Sequence, residues 1–250
     1  MSIEFVTYAN KSQGMFEELI NNEFGIPVKV LGWGTKWNGY SDKTNGVIEY
    51  MKSKNDNDII VFLDGFDTKI NQNPKNIVEL FKQYNCKVLL SKDPDISSSI
   101  GRSMIFGSCT KNSMANAGMY MGYVKELKLM LQSESEMKCL DDQVNFNTLC
   151  KKYNFIMVDE DEKIFKNFGP LDKKTKSDAL FVSYPGSPGV SRYSRAMIEY
   201  TQFLYIYILC LLILGLAFFP RYQKIILLIL LLYTTFYTLV ADKSCTFHTG

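Results

Sequence analysis

The densest apolar run in the first half of the chain is Ile59-Ile60-Val61-Phe62-Leu63, and it stops abruptly on Asp64-Gly65-Phe66-Asp67. Five apolar residues, β-branched at the start, predict a strand buried on both faces. Shorter runs at 3–8, 28–31 and 87–90 predict further strands. Between them the spacing turns helical. Met15, Phe16, Leu19 and Ile20 share one face, 47–51 suggests a second helix, and Asn73-Pro74 predicts the start of a third. The apolar side of that third helix is Ile77, Val78, Leu80 and Phe81. Residues 116–123 run from small residues into a strand, 125–131 reads as a helix, and Asp141-Asp142-Gln143 opens another that carries Val144, Phe146 and Leu149. Strands alternating with helices predict an α/β domain built on a mainly parallel sheet flanked by helices. The polar stretch 91–113 predicts a loop, either over a site or a variable insertion. The run Ser183-Tyr184-Pro185-Gly186-Ser187-Pro188-Gly189 is turn chemistry, or a linker to a membrane segment.

From Gln202 the pattern changes. Residues 203–219 and 225–240 are apolar and aromatic without a charge. As helices they would span roughly 24–27 Å, near the lower edge of what a bilayer requires. The short connection Pro220-Arg221-Tyr222-Gln223-Lys224 predicts a helical hairpin. The chain thus divides into a domain at 1–190, a linker at 191–201, two transmembrane helices at about 202–219 and 224–241, and a tail at 242–250. The alternative is a buried core hairpin of a larger soluble domain. Met1-Ser2-Ile3-Glu4 shows no basic segment followed by an apolar signal core, so the domain is expected to face the cytosol, with the protein integral to the membrane. Arg221 and Lys224 in the connection nearly balance Arg192 and Arg195 on the domain side, so the positive-inside rule decides little.

Charge and rare residues narrow the chemistry. With 28 Lys and Arg against 26 Asp and Glu, the net charge of +2 and the lack of a basic stripe argue against nucleic acid as a partner. The six cysteines show no CxxC spacing and read as free thiols suited to a reducing compartment. The one histidine, His248, lies beyond both apolar runs, which excludes a Ser-His-Asp or Cys-His arrangement in the domain. Chemistry there falls to carboxylates, hydroxyls, lysines and backbone groups. Ligands of open α/β sheets bind beyond the carboxyl ends of the strands. Asp64 and Asp67 at such an end suit a divalent metal carrying a sugar-nucleotide diphosphate; the plainer reading is a surface turn.

Four blocks in order decide between them: Leu31-Gly32-Trp33-Gly34 with Trp37 and Lys43, Phe62-Leu63-Asp64-Gly65-Phe66-Asp67, Asn116-Ala117-Gly118-Met119-Tyr120-Met121-Gly122, and Asp141-Asp142-Gln143. Over roughly residues 3–190 they resemble the glycosyltransferase domain of the procollagen lysyl hydroxylases and, more distantly, the procollagen galactosyltransferases. The resemblance implies a GT-A-like fold, a UDP-sugar donor (UDP-glucose or UDP-galactose) and Mn2+ or another divalent cation. It implies Asp64 and Asp67 as metal ligands, Phe66 at the nucleotide where the family has tyrosine, and Lys43 at the diphosphate. Thr7 and Tyr8 would hold uracil and ribose, Asn116 and Gly118 would shape the sugar pocket, and Asp141 and Asp142 would face sugar and acceptor. Without the family, Lys43 reads as a solvated lysine, Trp33 and Trp37 as packing residues, Asn116 as a turn cap and Asp141 as a helix cap. Asp142 is the better functional candidate, because a cap needs one aspartate only.

Three departures stand out. The family's third metal ligand is a histidine near the end of the domain; here the stretch is Val182-Ser183-Tyr184-Pro185-Gly186, and Ser183 or water is left to fill the position. The loop after Leu90 is short and lacks the family's tryptophan. A hydrophobic hairpin stands in place of the hydroxylase domains. The expected function is a membrane-anchored, metal-dependent transferase moving a hexose from a UDP-sugar to a hydroxyl acceptor, with hydroxylysine of a collagen-like protein as the inherited acceptor. The alternative is a catalytically degenerate domain serving as a membrane-bound binding or scaffold protein.

Overall fold

The computed structural model describes residues 1–94, 103, 106–111, 113–139, 141–169, 176–185 and 205–240. The expected linker and tail, Arg192 and Arg195, and the end of the 183–189 turn lie outside these residues. So does most of the stretch between 95 and 105.

The elements run in the order β1 (Ile3–Tyr8), α1 (Phe16–Ile20), β2 (Val28–Leu31), α2 (Tyr40–Met51), β3 (Ile59–Leu63), β4 (Thr68–Ile70), α3 (Ile77–Gln83), β5 (Val88–Lys92), β6 (Ala115–Tyr123), α4 (Val124–Ser135), α5 (Asp142–Lys152), β7 (Ile156–Val158), β8 (Phe165–Asn167) and β9 (Phe181–Ser183). Two apolar helices, α6 (Tyr205–Phe218) and α7 (Gln223–Val240), close the described chain. Six strands form one sheet in the order β2-β1-β3-β6-β5-β7. Its pairings are parallel except for β6, which runs antiparallel to both β3 and β5. The domain is therefore mixed α/β with a mainly parallel central sheet between helices.

Alternation along β3 accounts for the layers. Ile60 and Phe62 point to one core, shared with Val47 and Met51 of α2, Leu127 and Met130 of α4, and Phe146 and Leu149 of α5. Ile59, Val61 and Leu63 point to the other, with Leu19 of α1 and Phe81 of α3. Successive strand residues face opposite sides, so one five-residue strand, wholly buried, serves both cores. Phe62 stacks on Tyr120 at 4.8 Å, and Tyr120 meets Phe146 edge-on at 5.4 Å, which ties β3, β6 and α5 together.

A second sheet, β4-β9-β8, was not legible in the chain pattern. Each of its strands is three residues long, too short for alternation to register. Its apolar residues Ile70, Phe165 and Phe181 close the second core. The third helix also differs from expectation: it begins at Ile77, because Pro74 and the residues after it make a turn whose Pro74 carbonyl accepts from the Ile77 amide at 3.1 Å.

The cysteines correct the free-thiol reading. Cys109 and Cys150 form a disulfide, with Cα atoms 5.2 Å apart. They stand 41 positions apart in sequence, so no spacing motif announces the pair; the segment before β6 is laid against α5 by the fold. Cys86 and Cys210 are free. The argument from cysteines to a reducing compartment therefore loses its basis.

Helices α6 and α7 meet at a single turn, Pro220–Tyr222, and the pair is bent by 111° there. They fold back on each other, with Tyr205 stacked on Tyr233 at 5.4 Å. Among the described residues no single helix is long and apolar enough to cross a membrane; the bent pair qualifies together, by length and composition.

Candidate functional site

Asp64 comes directly after β3, and its amide donates to the Gly118 carbonyl of β6 at 2.8 Å. That bond fixes the strand end against its neighbour and starts the turn. The Phe66 amide then donates back to Asp64 Oδ1 at 3.3 Å. Gly65 is required sterically: a Cβ there would lie 2.9 Å from Thr7 Oγ1 and 3.1 Å from both Ala9 Cβ and the Tyr8 carbonyl. The Phe66 carbonyl accepts from the Met15 amide at 2.9 Å, anchoring the turn to the segment before α1. The two acids thus stand on a turn held from several sides.

Asp67 leads into β4. Ser183 at the end of β9 lies opposite Thr68, and its hydroxyl donates to Asp67 Oδ1 at 3.1 Å. The Tyr184 amide donates to the Asp67 carbonyl at 2.8 Å. The short second sheet is what brings Ser183 to Asp67 across 116 positions of sequence. Asp64, Asp67 and Ser183 supply oxygen donors only, which suits a hard divalent cation, and three such side chains leave further positions for water or phosphate oxygens. Among the described residues no three His, Cys, Asp or Glu side chains group to hold a metal. What the turn and the end of β9 offer is two carboxylates and a hydroxyl.

Lys43, on the first turn of α2, is buried rather than solvated. Its ammonium is paired with Asp142 Oδ2 and lies 3.5 Å from the Ala117 carbonyl. Burial opposes its charge, but Asp142 and then Asp64 outweigh that and hold it well above the ordinary lysine range. Asp142 is buried too, at the N-terminus of α5. The two aspartates of that helix start divide their work. Asp141 is the N-cap, its Oδ1 accepting from the Val144 amide at 3.0 Å, and Asp142 faces Lys43.

Asn116 and Gly118 sit together on β6, where the Gly118 amide donates to Asn116 Oδ1 at 2.8 Å. A Cβ on Gly118 would approach that oxygen to 2.9 Å. Asn116 Nδ2 also donates to Asp93 Oδ1 at 3.3 Å, and Gln143 Nε2 donates to the same oxygen at 3.1 Å. Asp93, 2% exposed beyond β5, was missed in the sequence. The rule that singled out Asp64 applies to it equally, since it too is an acid just past a buried strand, but Ser91 and Lys92 interrupt the apolar run before it.

Thr7 and Tyr8 fare differently. Thr7 is fully buried beneath Gly65, and its hydroxyl has no hydrogen-bond partner among the described residues. Tyr8 packs against Trp37 at 5.8 Å, and its hydroxyl meets Thr35 Oγ1 at 3.4 Å. The structure brings Asp64, Lys43, Asp142, Asn116 and Gly118 to one place, with Asp67 and Ser183 joined through the Asp64–Asp67 turn. Thr7 lies under that turn, and Asp141 is committed to its cap.

This mixed α/β domain is glycosyltransferase-like by the family to which its sequence assigns it. The family model described as the PLOD GT domain matches residues 2–179, and the chain belongs to that family. A curated relative, the multifunctional procollagen lysine hydroxylase and glycosyltransferase of Caenorhabditis elegans, is 27% identical over 187 residues, covering 65% of this chain and 25% of the relative. The chain therefore spans about a quarter of the length of the curated relative it matches. Among solved structures, the galactosyltransferase LgtC in complex with donor and acceptor sugar analogues superimposes with a TM-score of 0.46 at 13% identity, covering 81% of this chain and 95% of that one. A197 from STIV superimposes with a TM-score of 0.42 at 13% identity, covering 63% and 81%. At these scores the two likenesses carry no weight for fold or function.

Proposed function

We propose that this chain is a UDP-sugar-dependent hexosyltransferase of GT-A-like type, moving glucose or galactose to a hydroxyl acceptor, with hydroxylysine of a collagen-like protein as the inherited acceptor. The observation that carries the reading is the meeting of a strand-end acid, Asp64, with the buried Lys43–Asp142 pair, in a chain of the PLOD GT family. Asp64, Asp67 and Ser183 would hold Mn2+ or another divalent cation. Bound there, the ion supplies charge neutralisation for the departing diphosphate. Lys43 adds a positive charge on the same side, and Asn116 with Asp93 and Gln143 offers a hydrogen-bonding wall for a sugar. Phe66 stands on the same turn, at the nucleotide. The α6–α7 pair would anchor the domain in a membrane.

Ser183 in place of the family's histidine favours one second reading, a domain that binds a nucleotide sugar without turning it over. Full-length protein in detergent, incubated with UDP-glucose or UDP-galactose, separates the two. UDP release that requires Mn2+ and falls at least about a hundredfold in Asp64→Ala and Asp67→Ala is expected. Mn2+-dependent UDP binding without any release, even with an acceptor peptide present, favours the second reading.

A further inference from the structure

One lysine faces more acid than it can neutralise. Lys43 is paired with Asp142, and Asp64 acts on it electrostatically from the end of β3. Glu134, buried on α4, acts on it as well. Glu134 is engaged elsewhere: it accepts from Asn145 Nδ2 at 3.0 Å, and burial pushes its carboxyl up, so it competes weakly for Lys43. Among the described residues, Tyr40 and Tyr120 also stand in the field of the cluster. A buried ion pair is held by mutual attraction at a high desolvation cost, and a stronger anion within reach of the lysine displaces the weaker. Lys43 has the freedom to respond. Its stem is long, and its ammonium lies 5.8 Å from the Tyr40 ring centroid and 5.6 Å from that of Phe62, two π faces that keep a cation attended as it moves.

We propose that Lys43 is a transferable counter-ion. It masks Asp142 until the diphosphate of a donor draws it away, and only then is Asp142 a free carboxylate that accepts a hydrogen bond from a sugar or acceptor hydroxyl. Donor binding therefore precedes acceptor binding. The inference rests on the nucleotide-sugar reading above, and adds to it an order of events built into one ion pair.

Calorimetric titration of full-length protein with UDP and Mn2+ tests it. Asp142→Asn removes the competitor for Lys43, so UDP affinity should rise at least about threefold. Lys43→Met should lower it about tenfold, and the double variant should bind as Lys43→Met does, the gain having vanished. Unchanged or weaker UDP binding in Asp142→Asn, in protein that melts as the wild type does, overturns the exchange while leaving the nucleotide-sugar reading standing. Absence of UDP binding in every form, the wild type included, overturns both. Should the variants not fold, a wild-type structure with UDP bound decides: Lys43 Nζ on the diphosphate and beyond about 4 Å from Asp142 supports the exchange, and an intact pair overturns it.

Discussion

At the scale of single residues, the candidate site is held by positions that tolerate no side chain. Gly14 has a φ of +59°, and a Cβ there would lie 2.1 Å from the Phe66 carbonyl oxygen, a backbone atom that cannot yield cheaply. Gly14→Ala should therefore cost about 1–3 kcal/mol in chemical denaturation and loosen the Asp64–Asp67 turn. Wild-type stability in that variant would show that the turn shifts freely. Asp58 offers a test by pH. Its carboxylate accepts from the Ser2 amide at 2.7 Å and the Asn55 amide at 3.1 Å, and these bonds, the Ser2 bond foremost, lower its pKa from 3.8 to about 2. A depressed folded-state value means that the stabilisation is complete above the unfolded pKa and is lost as pH falls through the folded one. The acid limb of the stability curve between about pH 4 and the folded-state value of about 2 should thus flatten in Asp58→Asn, read from thermal melts across that range. What was legible at this scale was the pair Asp64 and Asp67, because an uninterrupted buried strand announces its own end. Asp93 was not, because its strand ends on polar residues, and neither was the buried state of Lys43, which depends on an aspartate 99 positions away.

At the scale of elements, five of the six strands of the large sheet could be read from the chain pattern; β7, three residues long, could not, and neither could the antiparallel sense of β6, since direction leaves no mark on composition. The small sheet was invisible for its shortness, yet it is what sets Ser183 beside Asp67. The helix start at Asp141-Asp142 was legible, and so was the division between Asp141, which caps, and Asp142, which does not. The Cys109–Cys150 disulfide closes a loop of 41 positions between the segment before β6 and α5. The chain-entropy account assigns a loop of that length up to about 4 kcal/mol. Denaturation of the wild type and of Cys109→Ser, each without reductant, should differ by no more than this. An equal stability of the two proteins would mean that the bridge contributes nothing to the fold. Packing at the other end of α5 has its own measure. Phe146→Ala, opposite the Phe62–Tyr120 stack, should cost about 3–5 kcal/mol.

At the scale of the whole molecule, the chain joins a transferase-type domain to two apolar helices that composition alone marked out. The short turn between them was legible, and the 111° bend of the pair was not, because it arises at the Pro220 turn rather than from any apolar pattern. If the pair anchors the protein, membranes from cells expressing the full chain should retain it through alkaline carbonate extraction; release into the supernatant would contradict the anchor. The central claim concerns the domain. Full-length protein supplied with Mn2+, UDP-glucose or UDP-galactose and a hydroxylysine-bearing collagen peptide should add one hexose to the peptide, detected by mass, and Asp64→Ala should abolish the addition. Neither sugar released nor peptide modified by the well-folded wild type would contradict it.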